Sequence, residues 1–139
     1  MKYLVEREQK ALSLQNQGDY KGAADIFKKI VDEYPSYEFG LCFYSLAYCL
    51  EEIGELVEAK KNYIKAIEYD NEDPVRLGGY ASFLYLHGNA LEAFDKHLEL
   101  MKLENKLGLE VSKTIIALKE LGEKLGLTEE EVLHKINLI

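Results

Sequence analysis

Four glycines, Gly18, Gly54, Gly88 and Gly122, follow one another at intervals of 36, 34 and 34 residues, and their surroundings recur in phase. Five residues after each of the first three stands an alanine: Ala23, Ala59 and Ala93. Four further on comes a ring, Phe27, Tyr63 or His97, and three beyond that an apolar residue, Ile30, Ala66 or Leu100. Upstream of the glycines an apolar stripe repeats at helical spacing, as Phe43, Leu46, Ala47 and Leu50 and again as Leu77, Tyr80, Ala81 and Leu84. A period of this length confines a chain to stacked copies of one supersecondary unit. A single copy cannot bury its own apolar face, so neighbours must cover it.

The spacing predicts helices at about 2–17, 20–33, 37–53, 56–69, 74–87, 90–105, 108–121 and 128–137. Each repeating glycine falls between two of them, where a left-handed backbone can close the first helix. Alanine early in the second helix lets two backbones approach, and the ring one turn later fills the space between hairpins. Pro35 ends one helix, and Asp73 with Pro74 starts another. Asn89 with Glu92, and Thr128 with Glu131, have the spacing of capping boxes. Gly78 and Gly79 lie inside a predicted helix, which suggests either the close approach of a neighbouring backbone or ligand, or a local kink.

The segment GDYKGAADIFKKIVDEYP, Gly18 to Pro35, resembles the second half of a tetratricopeptide repeat, a helix–turn–helix unit of 34 residues. The resemblance implies an all-α fold: a right-handed superhelical stack of about three and a half such hairpins in one domain over residues 1–139. The repeats run at about 4–37, 38–73 and 74–107, with a degenerate C-terminal capping hairpin at 108–139. In the first copy Arg7 and Lys10 replace apolar stripe residues, as suits a terminal hairpin without a neighbour on one side. In the last copy Leu127 replaces the alanine, and Val132, Leu133 and Ile136 supply an apolar side that closes the stack or stays exposed as a sticky end.

Composition bounds the function. An apolar share of 47% excludes disorder for want of core material. A net charge of -8 argues against nucleic acid as partner, because phosphate binding needs basic surface. The acids are spread evenly, 13 against 9 bases in residues 1–70 and 12 against 8 in 71–139, so neither half is a charged tail. No apolar run is long enough for a membrane span or a signal-peptide core, and cytoplasmic placement is expected. Cys42 and Cys49 are seven residues apart on one predicted helix, about 10 Å, too far for a disulfide, and read as buried reduced thiols.

No catalytic constellation is present in the sequence. His87, His97 and His134 lack partners at triad or metal-ligand spacing, and Gly78-Gly79 lacks the strand and third glycine of a dinucleotide loop. Glu51-Glu52 and Glu129-Glu130-Glu131 read as exposed helix charge and dipole pairing. A non-enzymatic protein without cofactor or metal is the expectation.

In a stack of this family the first helix of each repeat lines the concave side. The resemblance therefore assigns to a peptide-binding groove Leu12, Gln15 and Asn16 in the first copy, Leu41, Tyr44, Tyr48, Glu51 and Glu52 in the second, and Ser82 and Tyr85, beside Leu86, in the third. Tyrosines there offer large amphipathic surfaces, although a middle helix can equally use them for packing. One branch of the family clamps acidic chaperone tails with basic and Asn residues; the matching positions here, Glu8, Leu12, Ser45, Val75 and Gly79, all depart from it. The expected partner is another protein or peptide, neutral to basic and partly apolar. A small chaperone-like holder of a secreted or assembling protein, and a self-assembling structural unit forming a homo-oligomer, are the alternatives.

Overall fold

The computed structural model describes residues 2–138, and every regular element among them is helical. In chain order these are α1 (Lys2–Asn16), α2 (Tyr20–Glu33), a 3-10 turn (Tyr37–Gly40), α3 (Leu41–Glu52), α4 (Leu56–Tyr69), α5 (Pro74–His87), α6 (Ala90–Lys106), α7 (Ser112–Lys124) and α8 (Glu129–Asn137). The chain divides into two compact units, Met1–Arg76 and Leu77–Ile139, the boundary falling inside α5.

Within the first unit α1 packs on α2, α2 on α3 and α3 on α4. The repeating small residues and rings occupy the core: Ala23, Phe27, Ile30, Ala59, Tyr63 and Ala66 are all buried. Burying a ring such as Phe27 contributes about 1.5–3 kcal/mol, and the alanines hold the helices close enough for that ring to be covered. Within the second unit Ala93, Phe94, His97 and Leu100 of α6 are buried, as are Leu118 and Leu121 of α7. Here α6 packs on α7 and α7 on α8. Val132 and Ile136 of α8 are buried, but Leu133 is exposed and is not part of the side that closes the hairpin.

Helix ends follow side-chain and glycine chemistry. The Asp19 carboxylate caps α2 by accepting from Gly22 N at 2.9 Å, and Asn89 caps α6 by accepting from Glu92 N at 2.8 Å. Thr128 and Glu131 form a complete capping box at α8, with bonds of 3.0 and 3.1 Å. Gly18 and Gly54 are left-handed, each followed by a backbone bond that closes the helix, Asp19 N to Leu14 O at 2.8 Å and Glu55 N to Leu50 O at 2.9 Å. The same closure recurs at Gly108 and Gly126, with Leu109 N to Glu104 O and Leu127 N to Gly122 O, both 2.8 Å.

Two of the four repeating glycines have other roles. Gly88 is absent from the left-handed glycines; a side chain there would run into Leu84. Gly122 lies inside α7, where a Cβ would collide with Val132 of α8, so it is a packing glycine. The turn belongs to Gly126, α7 runs to Lys124, and its start is Ser112 instead of 108. At Gly78 a Cβ would meet Leu100 at an ordinary 3.9 Å, so within the second unit no crowded approach demands that glycine.

The predicted helix 37–53 is interrupted. Glu38, Phe39 and Gly40 have φ of 50°, 54° and 75°, and α3 begins only at Leu41. Two non-glycine residues in this region cost about 1–3 kcal/mol each. Arg76, 3% exposed, compensates. Its Nη1 donates to the carbonyls of Phe39 at 2.6 Å and Ala66 at 2.8 Å, its Nη2 to that of Glu38 at 3.4 Å, and its Nε to the Asp73 carboxylate at 3.0 Å. A single guanidinium thus ties the start of α5 to the turn before α3 and to the end of α4. Gly40 is required on a second count, since a Cβ would strike the Tyr69 ring.

Candidate functional site

Eight of the ten residues assigned to the groove lie in the first unit. The α1 and α3 faces there are joined by two side-chain bonds seven residues apart, each linking positions one repeat apart. The Cys42 thiol donates to the Glu8 carboxylate at 3.8 Å and the Cys49 thiol to the Gln15 amide oxygen at 3.6 Å, each across 34 residues of sequence. Gln15 is therefore half-buried and engaged, while Leu12 is 39% exposed and Asn16 lies exposed at the end of α1. Leu41 is half-buried at the first position of α3.

Tyr44 and Tyr48 are half-buried, each with its ring set edge-on against a neighbour, Tyr63 at 5.8 Å and Tyr20 at 5.9 Å. Tyr63, in the core, donates its hydroxyl to Glu51 at 2.7 Å, which holds that carboxylate beside Tyr44. Glu52 is exposed. A hydrogen bond with Tyr20, then burial and the charge of Glu52, push the Tyr48 hydroxyl up to about 12. Burial, then Asp73 and Glu51, raise that of Tyr44. Both phenols are neutral donors at physiological pH, on a face where carboxylates supply the charge.

The remaining two residues belong to the second unit. Ser82 is exposed. Tyr85 is half-buried and hydrogen-bonded to Glu120, with Lys124 over its ring at 5.2 Å and its edge toward His97. His97 is a packing residue: its Nδ1 lies 2.7 Å from the Ala93 carbonyl, which only accepts, so that nitrogen carries a proton.

The sequence pattern missed a polar cluster beside the face. Tyr37 donates to Glu8 at 3.2 Å, and burial, followed by the nearness of Glu38, raises the Glu8 carboxyl against the opposing bonds from Tyr37 and Cys42. The separation of 34 residues between Glu8 and Cys42 was the available signal, because equivalent positions of successive first helices adjoin. On the other side of α3 a cleft of about 490 Å³ mixes Lys21, Lys28 and Lys29 with Asp25 and Glu55 over Leu46 and Leu50. It shares no residue with the tyrosine face.

Both cysteines are buried and free. Burial, then Glu8 and Glu38, push the Cys42 thiol up to about 12; burial, then Glu52, push Cys49 up to about 11. At pH 8 that leaves Cys49 as thiolate in only about one molecule in a thousand. Ellman's reagent should therefore leave the native protein essentially unlabelled and titrate both thiols in guanidinium. Native labelling within minutes would mean that the α1–α3 contact opens readily. Among the described residues no group of three or more His, Cys, Asp or Glu is arranged to hold a metal ion, and no helix is long and apolar enough to cross a membrane.

The tetratricopeptide-repeat family model matches residues 9–37, which take in the second half of α1 and all of α2. The fold agrees over far more of the chain. The type III secretion chaperone SycD of Yersinia enterocolitica, crystallised with a peptide of the translocator YopD, superposes with a TM-score of 0.73. The match covers 89% of this chain and 95% of that one at 20% identity. This chain shares the all-helical fold of that protein, and one segment of it matches the tetratricopeptide-repeat family. No curated protein matches its sequence.

Proposed function

We propose that this chain is a non-enzymatic tetratricopeptide-repeat adaptor whose α1–α3 face in the first unit holds a peptide segment of a partner protein. The observation that carries the proposal is the setting of Tyr44 and Tyr48: two half-exposed phenols, braced edge-on by Tyr63 and Tyr20, beside Glu51 and Glu52. Braced rings lose little freedom on binding, and their hydroxyls can pair with a peptide backbone. The carboxylates favour a segment that is neutral to basic and partly apolar. A chaperone-like role, in which the bound segment belongs to a protein awaiting secretion or assembly, is the second reading. It is favoured by the likeness to SycD, which binds a peptide of its translocator.

The double variant Tyr44→Ala, Tyr48→Ala tests this. Removal of a hot-spot aromatic costs about 2 kcal/mol or more in binding, so affinity should fall at least thirtyfold while circular dichroism stays near the parent's. Partners are read by pull-down and mass spectrometry on both proteins. A folded variant that captures every parental partner would exclude this face as the binding surface.

A further inference from the structure

Where α1 meets the 3-10 turn before α3, the Glu8 and Glu38 carboxyls are hydrogen-bonded to one another. Such a bond exists only while one of the two groups holds a proton; two carboxylates so placed repel. The arginines of the neighbouring elements do not relieve that repulsion. Arg7 of α1 is turned to Glu33 of α2 at 3.0 Å, and Arg76 of α5 is committed to Asp73 and to backbone carbonyls, that of Glu38 among them. The other two groups on Glu8 are the Tyr37 hydroxyl, from the turn, at 3.2 Å and the Cys42 thiol, from α3, at 3.8 Å. Burial first, then the charges of Glu8 and Glu38, hold both well above neutrality, so each donates throughout the physiological range.

Residues 1–76 contain no histidine, the side chain that ordinarily responds between pH 5 and 8. We infer that the Glu8–Glu38 pair takes that role: a proton shared between the two carboxyls latches α1 to the turn before α3, and its loss as pH rises loosens that end of the first unit. Glu8 is the member that holds the proton. It is half-buried where Glu38 is exposed, and burial, then Glu38 itself, raises its carboxyl against the bonds from Tyr37 and Cys42. The turn presents Glu38 from a fixed backbone, left-handed and with its carbonyl held by Arg76. A carboxyl raised on folding binds its proton more tightly in the folded chain than in the unfolded one. Its contribution is therefore full below the ordinary value of 4.5 and is lost as pH climbs through the raised one. Because α1 also carries Leu12 and Gln15, acid would firm the proposed peptide face. That consequence rests on the function proposed above, whereas the latch itself needs no partner and is tested without one.

Two measurements on the full chain decide. In carbon-13 NMR of the parent, the Glu8 side-chain carboxyl should titrate above the ordinary glutamate range. In hydrogen exchange, corrected for intrinsic rates, the protection of α1 amides should fall several-fold from pH 5 to pH 8. Glu8→Gln keeps the size of a neutral carboxyl and cannot ionise, so at pH 8 it should hold α1 protection near the parent's value at pH 5. Glu38→Gln should do the same by removing the opposing charge. Glu33→Gln, which breaks only the exposed pair with Arg7, should leave the pH response as it is in the parent. A Glu8 carboxyl that titrates within or below the ordinary range would overturn the inference whether or not the variants fold. So would α1 protection that is flat with pH in the parent, that falls equally in both Gln variants at positions 8 and 38, or that loses its pH response in Glu33→Gln.

Discussion

Arg76→Met should melt well below the parent, by roughly 10–20 °C. The guanidinium donates to three backbone carbonyls and pairs with Asp73 while almost wholly out of water. Methionine matches its stem but donates nothing, so the Phe39 carbonyl loses its Arg76 partner, that of Ala66 keeps only the bond from Asp70 N at 3.2 Å, and the left-handed turn loses its brace. Breaking one side of a buried, hydrogen-bonded charge network costs about 3–5 kcal/mol, which converts to a shift of that size for a chain of this length. Asp73 is not stranded, since it also accepts from Val75 N at 2.9 Å at the start of α5. Two further variants separate the contributions. Arg76→Lys keeps the charge but cannot fork to three acceptors and should recover only part of the loss. Adding Glu38→Gly to Arg76→Met should restore about 1 kcal/mol or more by relieving the turn. Thermal melts followed by circular dichroism decide. A midpoint unchanged in Arg76→Met would mean that the turn before α3 holds itself.

The hairpins themselves were legible because their determinants are local and repeated. Apolar spacing, the Asn89 and Thr128 caps and the glycines at 18 and 54 each act within a few residues, and the structure uses them as the sequence suggests. The interruption before α3 was hidden because its cause is 37 residues away: nothing in Tyr37-Glu38-Phe39 announces a left-handed turn until Arg76 reaches the Phe39 carbonyl. Gly122 misled for a related reason. Two glycines lie four residues apart in LGEKLG, and the period of 34 favoured the first, while the contact with Val132, ten residues on, keeps that one inside the helix. For the tyrosine face, spacing was enough to place Tyr44 and Tyr48 on one side of α3. Their bracing by Tyr63 and Tyr20, and the thiol bonds of Cys42 and Cys49, depend on register between helices and needed coordinates.

That same contact at Gly122 makes the role of α8 testable by a change of sign. Ending the chain after Leu127 removes Val132 and Ile136, both buried, along with the capping box at Thr128. Each side chain contributes up to about 1.5–3 kcal/mol, so the loss should approach 3–6 kcal/mol, with newly uncovered surface that binds hydrophobic dye. Gly122→Ala probes the same interface from the other side. In the full chain the added methyl is driven into Val132 and should destabilise by about 1–3 kcal/mol. In the truncated chain Val132 is gone and the nearest remaining obstacle is Phe94, whose Cε2 would lie at an ordinary 3.7 Å. The substitution then reports only helix propensity within α7, where alanine is favoured over glycine by about 1 kcal/mol. Gly122→Ala should therefore lower the melting point of the full chain and raise that of the truncated one. An alanine that has the same effect in both backgrounds would mean that α8 does not rest on α7 in solution, and that Val132 is covered by something other than this glycine.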